Sequence, residues 1–277
     1  MDLEKGVNGI TALIVCDLPY LKYAEVCIAS IKRNAPTVRI HLRAIRVPQE
    51  EVMRLIQTYG CEISEDHTDY DRLEDRRAYA ANIRVLAIQY LLNRGDQYVI
   101  YFDADSIIRK DISRIIPELS KTDILIARTA YTKPVEGERA KFLSGVIACR
   151  NTNATRMFVE KWLQLITPHI TEWFADQLYF SRTYDSCRDS VRVGDLPFAY
   201  IDFHFEFRSS VWVGKGNKKT ENAIYLLEEQ RYRKSLRKWD RIVLDMRQLF
   251  YRTVRIVWGL KQYLISKALR LREFVKG

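Results

Sequence analysis

The stretch QYVIYFDAD, residues 97–105, contains the clearest strand signal in the sequence and two carboxylates directly after it. Its first six residues are mostly β-branched or aromatic, which is typical of a buried strand. Asp103 and Asp105 follow, and a turn can direct both carboxylates to one point. Mg²⁺ and Mn²⁺ prefer oxygen ligands and keep coordination positions for phosphate oxygens. We therefore predict that both aspartates bind Mn²⁺ or Mg²⁺; the alternative is that they are ordinary turn residues.

Strand and helix patterns alternate on both sides of this stretch. Apolar runs at residues 11–16 and 38–47 predict strands, and the apolar residues within 23–34 have helical spacing. This alternation is typical of an α/β fold with a mostly parallel sheet and helices on both faces. Ligands of such sheets bind beyond the carboxyl ends of the strands. Asp17 and Asp103 each follow a predicted strand directly, so we expect them at the same edge.

Two segments between these strands are predicted from composition. Residues 66–77 are strongly charged and are expected to form a surface segment, while residues 78–92 are rich in alanine and leucine and predict one helix. Residues 129–141 are polar, contain Pro134 and Gly137, and predict a loop near the site.

The charge of the chain is concentrated at its end. The 277 residues include 47% hydrophobic residues, enough for a substantial core, and carry a net charge of +10. Residues 231–277 contain 14 Lys and Arg against three Asp and Glu, so the rest of the chain is nearly neutral. We predict a catalytic domain over residues 1–225 and a basic amphipathic helical tail over residues 226–277.

The tail repeats apolar residues at steps of three or four, for example at Val243, Met246, Phe250 and Val254. Lysines and arginines fill the other positions, and such a helix suits the surface of an anionic membrane. The alternatives are packing on the catalytic domain or on a second copy in a homo-oligomer. Nucleic acid is the least favoured partner and is not predicted.

The sequence also indicates a cellular location. Neither a signal-peptide pattern after Met1 nor an apolar stretch long enough for a transmembrane helix is found. Five cysteines are widely spaced without a CxxC pair, which fits a reducing compartment. We expect a cytoplasmic protein, peripheral on the inner face of a membrane if the tail binds lipid.

Five segments in this order resemble the GT-A glycosyltransferases, in particular the family-8-like branch of glycogenin and bacterial lipopolysaccharide galactosyltransferases. They are Asp17 to Tyr20 after the first strand, Arg84 on a helix, the strand and aspartates of residues 99–109, Ser144-Gly145, and Asp176-Gln177. The resemblance implies a GT-A fold and a metal-dependent, retaining hexosyltransferase. Its donor would be a nucleotide-diphosphate sugar. Its acceptor would be a glycan or glycolipid hydroxyl in cell-surface polysaccharide or glycolipid synthesis.

The resemblance also implies roles for individual residues. Asp176 and Gln177 match the pair that contacts the transferred sugar and are the predicted catalytic residues. The predicted residues for binding the nucleotide sugar are Asp17, Tyr20, Arg84, Asp103, Ala104, Asp105, Ser144, Gly145, Lys215 and Lys218. From the residues alone, several of these have ordinary alternatives, because Asp17 can cap a helix and the lysines can belong to a solvated loop.

One departure concerns the third metal ligand. The family has a late His-x-Gly-x-x-Lys element, whereas this chain has Trp212 in place of the histidine. The remaining candidates for the third ligand are Asn217, His204, Asp202 and water.

Two other functions, a phosphatase and a membrane-surface adaptor, are compatible with parts of the sequence. A phosphatase of the haloacid-dehalogenase type also uses Asp-x-Asp, but there the pair follows the first strand and its first Asp is a nucleophile. A non-enzymatic adaptor at a membrane surface would use the basic tail and leave the aspartates at the strand end unexplained.

Overall fold

Strands and helices alternate along the chain as the sequence pattern predicts. The computed structural model describes residues 9–129, 134–135, 137–233, 242–251, 253, 254 and 256. Within this part the strands are β1 Ile10–Asp17, β2 Arg39–Ile45, β3 Glu62–Asp66, β4 Tyr98–Asp103, β5 Ser106–Ile108, β6 Ile124–Arg128, β7 Pro134–Val135, β8 Glu138–Arg139, β9 Phe142–Arg150, β10 Val193–Asp195 and β11 Val211–Val213. The α-helices are α1 Leu21–Asn34, α2 Gln49–Tyr59, α3 Leu73–Asn82, α4 Arg84–Arg94, α5 Ile116–Leu119, α6 Asn153–Ile166, α7 Ala175–Cys187, α8 Lys218–Glu221 and α9 Ala223–Arg233.

Seven strands form the central sheet in the order β10-β6-β9-β4-β1-β2-β3. β1 is parallel to β2 and β4, β2 to β3, and β6 to β10. β9 is antiparallel to both of its neighbours, β4 and β6. This mostly parallel sheet, flanked by helices, confirms the predicted α/β fold class.

Side chains of the sheet alternate between two apolar cores, one on each face. Ile14 and Cys16 of β1 belong to the first core, which α1 and α2 cover. Leu13 and Val15 belong to the second core, which α3, α4, α6 and α7 cover. Each fully buried leucine or isoleucine stabilises the fold by about 1.5–3 kcal/mol. Because β1 and β4 are buried on both faces, their ends are held rigidly.

The register of β1 and β4 places the site at the carboxyl edge of the sheet. Val15 is paired with Asp103, so the ends of the two strands lie side by side. Directly after Asp105 the chain enters β5, which pairs with β11 in a separate two-stranded sheet. Helix α1 fixes β5, because the amide of Asn34 donates to the Ile108 carbonyl at 2.8 Å.

Two predictions from composition are corrected by the structure. Residues 78–92 do not form one helix, because α3 ends at Asn82 and α4 begins at Arg84. At the junction the Asn82 side chain is fully buried and its amide donates to the Ile170 carbonyl at 2.8 Å. The segment 66–77 is also not entirely at the surface, since Asp66 is buried at the end of β3.

The chain divides into two compact units, Met1–Lys215 and Gly216–Gly277. In the second, residues 242–251 are helical, and Gln248 of this terminal helix donates to Glu228 of α9 at 2.7 Å. The predicted boundary between residues 225 and 226 stays a prediction, and the tail beyond residue 256 lies outside the described residues. None of the helices within the described residues has the length and apolar content needed to span a bilayer.

Candidate active site

Asp103 ends β4 with its carboxylate held by two donors. Its Oδ1 accepts hydrogen bonds from the Tyr101 hydroxyl at 2.8 Å and from Arg84 Nη1 at 3.0 Å. Burial, and to a lesser degree the nearby Asp105 carboxylate, raises the pKa of Asp103 to about 6, although Arg84 and Tyr101 favour the ionised form. The side chain remains 30% exposed, so its second oxygen is within reach of a ligand.

Arg84 connects Asp103 to the segment that carries Asp176. The arginine is buried, and its Nη1 donates to the Ser144 carbonyl at 2.8 Å. The same nitrogen lies 3.6 Å from Asp176 Oδ2, and the guanidinium lies over the Tyr101 ring. One buried cation therefore joins three segments that are far apart in sequence. Arg84 is therefore not a solvent-exposed charge on its helix.

Gly145 lies directly beside the Asp103 carboxylate. A Cβ atom at this position would be 3.1 Å from Asp103 Oδ2, with Ile201 and Val213 also within 4 Å. Contact at this distance is tighter than ordinary van der Waals packing, so a side chain here would displace the carboxylate. Glycine is therefore required by close approach. Ser144, which precedes it, contributes its backbone carbonyl to Arg84.

Asp176 lies in the first turn of α7 as a buried carboxylate, and Gln177 follows it half-buried. Asp176 Oδ2 has no hydrogen-bond partner among the described residues, and Arg84 provides its nearest cation. A buried carboxylate without hydrogen bonds is costly unless charge or a ligand compensates it. Within the described part of the chain, Asp176 Oδ2 is thus a buried acceptor without a hydrogen bond, and Arg84 Nη1 lies 3.6 Å from it.

Asn82 positions this segment and was not foreseen from the sequence. Its amide donates to the carbonyls of Ile170 and Glu172, each at 2.8 Å, and its Oδ1 accepts the Asp176 N–H at 3.1 Å. The only sequence signal was a polar residue two positions before Arg84 inside an apolar helical run. Its partners are about 90 residues away along the chain, so no local pattern identifies them.

The rest of the Asp triplet joins β4 to β5. Ala104 and Asp105 are buried, and the Asp105 carbonyl accepts the Gly214 N–H at 3.0 Å. Lys215 is the residue after Gly214 and is exposed, so this bond brings it near the backbone of Asp105. Lys218 begins α8 in the second unit, and its assignment stays a prediction from sequence.

Two of the candidates for a third metal ligand, Asp202 and His204, make other contacts in the structure, whereas Asn217 and water stay predictions. Trp212 is fully buried and donates from Nε1 to the Glu206 carbonyl at 2.9 Å. The Asp202 carboxylate accepts three backbone N–H groups, and the exposed His204 packs on Phe203. Across the described residues no three His, Cys, Asp or Glu side chains are grouped to hold a metal ion. Two carboxylates suffice for an ion that also binds diphosphate and water.

Asp17 and Tyr20 lie at the end of β1. Asp17 Oδ1 accepts the Tyr20 N–H at 3.2 Å, so the aspartate does cap the short turn that follows. Burial raises the pKa of Asp17, while the Tyr20 N–H and the charge of Arg77 favour its ionised form. Arg77 is exposed on α3 and is a second residue near the site that the sequence did not indicate.

Comparison with known proteins tests the fold. No family model matches the sequence, and no curated protein matches it. The glycosyltransferase GlyE of Streptococcus pneumoniae TIGR4 is similar in structure, with a TM-score of 0.56, 15% identity, and coverage of 88% of this chain and 64% of GlyE. The bifunctional glycosyltransferase WbbM has a TM-score of 0.56 and 15% identity, with coverage of 87% of this chain and 52% of WbbM.

The fold of this chain is similar to that of GlyE and WbbM. The chain spans less than two thirds of the GlyE and WbbM chains. The similarity agrees with the GT-A type of sheet expected from the sequence. It does not distinguish the family-8-like branch from others, because identity of this size shows the fold alone.

Proposed function

We propose that the chain is a glycosyltransferase that moves a sugar from a nucleotide-diphosphate sugar to a hydroxyl of a glycan or lipid-linked acceptor. The observation that carries the proposal is the buried Arg84, which joins Asp103 to Asp176 at the carboxyl edge of a glycosyltransferase-type sheet. An ion pair of this kind holds a metal-binding carboxylate and a sugar-binding carboxylate at a fixed separation. An aspartate that only forms a turn, or one that lies at the surface, would need neither burial nor an ion pair with Arg84.

The metal is assigned to Asp103 and Asp105. Two carboxylates after a rigid strand, one of them partly exposed, fit the oxygen donors that Mn²⁺ or Mg²⁺ takes from proteins when phosphates supply the rest. When bound, such an ion would neutralise charge on the departing diphosphate. The orphaned Oδ2 of Asp176 is assigned to a hydroxyl of the transferred sugar.

The remaining roles follow from position. Asp17 and Tyr20, at the end of the neighbouring strand, are assigned to the nucleoside, and Lys215 to the diphosphate. Gln177, beside Asp176, is assigned to the transferred sugar. A hexose and retention of anomeric configuration are the finer expectations, and they rest on the resemblance to the family-8-like branch. NMR of the freshly formed anomer would distinguish retention from inversion.

The phosphatase alternative is less well supported. In that class the first aspartate must attack phosphorus as a nucleophile. Here Asp103 follows the fourth strand along the chain and is bonded to both Arg84 and Tyr101. These donors lower the nucleophilicity of its Oδ1.

Hydrolysis of a panel of nucleotide sugars in the presence of Mn²⁺ tests the proposal. We expect turnover of at least one donor, its loss on chelation, and a decrease of roughly 100-fold in Asp103→Asn. Asp71→Asn changes an exposed aspartate outside the site and should leave turnover unchanged. Full turnover in folded Asp103→Asn would refute the proposed role.

We also propose that the terminal helix binds an anionic membrane surface, as a lipid-linked acceptor requires. Within residues 242–251 the apolar side chains of Met246, Leu249 and Phe250 are each more than 60% exposed, whereas Leu244 is buried. Flotation with vesicles tests this, with Met246→Glu/Phe250→Glu expected to bind less and Met157→Glu on α6 as control. If the double variant instead changes the sedimentation of the protein without lipid, the face is an interface of a homo-oligomer.

A further inference from the structure

Residues 202–208, which we call the aromatic loop, have a backbone fixed from within. The Asp202 carboxylate is fully buried and accepts three backbone N–H groups, those of His204 at 2.6 Å, Phe205 at 3.1 Å and Glu206 at 2.6 Å. Phe205 has a φ of 63°, a left-handed conformation that a bulky residue adopts only when its surroundings enforce it. The loop therefore has one defined shape.

Neighbouring residues fix the same loop from outside. Arg109 Nη1 donates to the carbonyls of Glu206 at 3.3 Å and Phe207 at 3.0 Å. Lys110 Nζ donates to the Arg208 carbonyl, and Trp212 Nε1 also donates to Glu206. These bonds compensate the conformational entropy that is lost when the loop is ordered.

The side chains on this rigid backbone differ sharply in burial. Phe205 is 3% exposed and packs on Trp212, with ring centroids 5.5 Å apart. Phe207, two residues later, is 69% exposed. Phe198 is 45% exposed and meets Phe203 edge to face at 5.3 Å. A phenylalanine held in water by an ordered loop is typical of a surface that binds an apolar partner.

The charges around Phe207 indicate which partner. Arg109 and Lys110 contact the loop backbone, and Arg208 follows Phe207 within the loop. Glu206 is the exposed acid within the loop. Aromatic side chains surrounded by lysine and arginine suit the interface of an anionic bilayer, where rings enter between headgroups and cations bind lipid phosphates. A neutral glycan would make no use of this excess of cations.

We propose that the aromatic loop binds the surface of an anionic lipid bilayer, with Phe207 inserted between the headgroups. The loop leads into β11, whose Val213 lies within 4 Å of a Cβ built at Gly145. Contact with lipid at the loop thus brings the aspartate edge of the sheet to the membrane surface. This goes beyond the proposed activity and does not rest on it, and it involves a different segment from the terminal helix.

The test uses the full chain and vesicles of phosphatidylcholine with or without phosphatidylglycerol. In flotation, Phe207→Ser should lower the partition coefficient to phosphatidylglycerol vesicles about tenfold, because the variant loses the apolar surface that the ring would bury among the headgroups. Met157→Ser, which removes a similarly exposed apolar side chain from α6, should have no effect. In Phe207→Trp, the added fluorescence should shift to the blue with phosphatidylglycerol vesicles and not with phosphatidylcholine alone.

Three results would overturn the proposal: no binding of the unchanged protein to anionic vesicles, equal partition of Phe207→Ser, or an unshifted spectrum in Phe207→Trp. A further contrary result is that Phe207→Ser binds vesicles normally but loses affinity for a soluble oligosaccharide. The loop would then be a glycan site. Because Phe207 is exposed, unchanged melting of each variant is expected and verifies that folding is intact.

Discussion

Gly145 and Asp103 approach each other so closely that a Cβ atom on the glycine would stand 3.1 Å from Oδ2 of the aspartate. The two residues are on adjacent antiparallel strands, β9 and β4, whose pairing fixes their separation. The position of Asp103 Oδ2 therefore depends partly on the absence of a side chain at residue 145. A substitution at Gly145 should therefore affect metal binding more than the stability of the fold.

We expect Gly145→Ala to displace the Asp103 carboxylate and raise the Mn²⁺ concentration needed for half-maximal hydrolysis about tenfold or more, at a stability cost of about 1 kcal/mol. Gly194→Ala is the matched control, because its Cβ would meet Leu125 at 2.7 Å and Thr122 at 2.8 Å. That variant should melt at a lower temperature and keep its metal dependence. If both variants need the same Mn²⁺ concentration for half-maximal hydrolysis, then Gly145 does not determine the position of the Asp103 carboxylate.

Arg84 and Asp176 should be strongly coupled. Arg84→Met leaves a buried carboxylate without its cation, and we expect about 3 kcal/mol of destabilisation. Asp176→Asn in the same chain removes the uncompensated charge, so the double variant should recover at least about 1 kcal/mol relative to additivity. Urea unfolding of the four proteins in the cycle measures the coupling. Additive changes would show that the 3.6 Å approach contributes no interaction.

Asn82 should control the order of the segment before α7. Asn82→Ala removes the donors to Ile170 and Glu172 and the acceptor of the Asp176 N–H, and we expect a cost of about 3 kcal/mol. Hydrogen exchange should accelerate over residues 170–176 first. Asn34→Ala, which deprives Ile108 of a comparable bond, should accelerate exchange near β5 instead. Uniform acceleration in both variants would argue against a local role.

Stability should depend on acid pH through Asp66. Burial works to raise the pKa of this carboxyl, but hydrogen bonds from Thr68, Tyr79 and Arg43 outweigh it and lower the pKa to about 2. A lowered pKa means that the stabilisation is present above the unfolded value near pH 4 and is lost as the pH falls toward 2. Asp66→Asn should therefore remove about 2 kcal/mol at pH 7 and flatten the curve in that range. Denaturant titrations at several pH values measure it, and an unaltered slope would be the contrary result.

The sequence predicted the strands better than the site. β1, β4 and α1 were foreseen because their apolar spacing is local, as was the strand end that carries Asp103. The bonds of Asn82 were not, because its partners lie about 90 positions away along the chain. Long-range polar contacts of this kind leave no periodic signal.

The role of Trp212, at the expected position of the third metal ligand, also could not be predicted from the sequence. Trp212 occupies the position where the resemblance places a histidine, and from the sequence this was only an anomaly. In the structure the indole is buried, packs under Arg109 and bonds to the aromatic loop, so its role is to hold that loop. The burial of Asp66 inside a charged segment was missed for a related reason, since its partners Arg43 and Tyr79 come from other elements.

The antiparallel direction of β9 has a consequence for engineering. Its first residues reach the aspartate edge through pairing with β4, where Phe102 lies opposite Val146. The connection from β6 does not determine that register. Substitutions at the exposed Glu138 and Arg139 of β8 should therefore leave Gly145 aligned with Asp103.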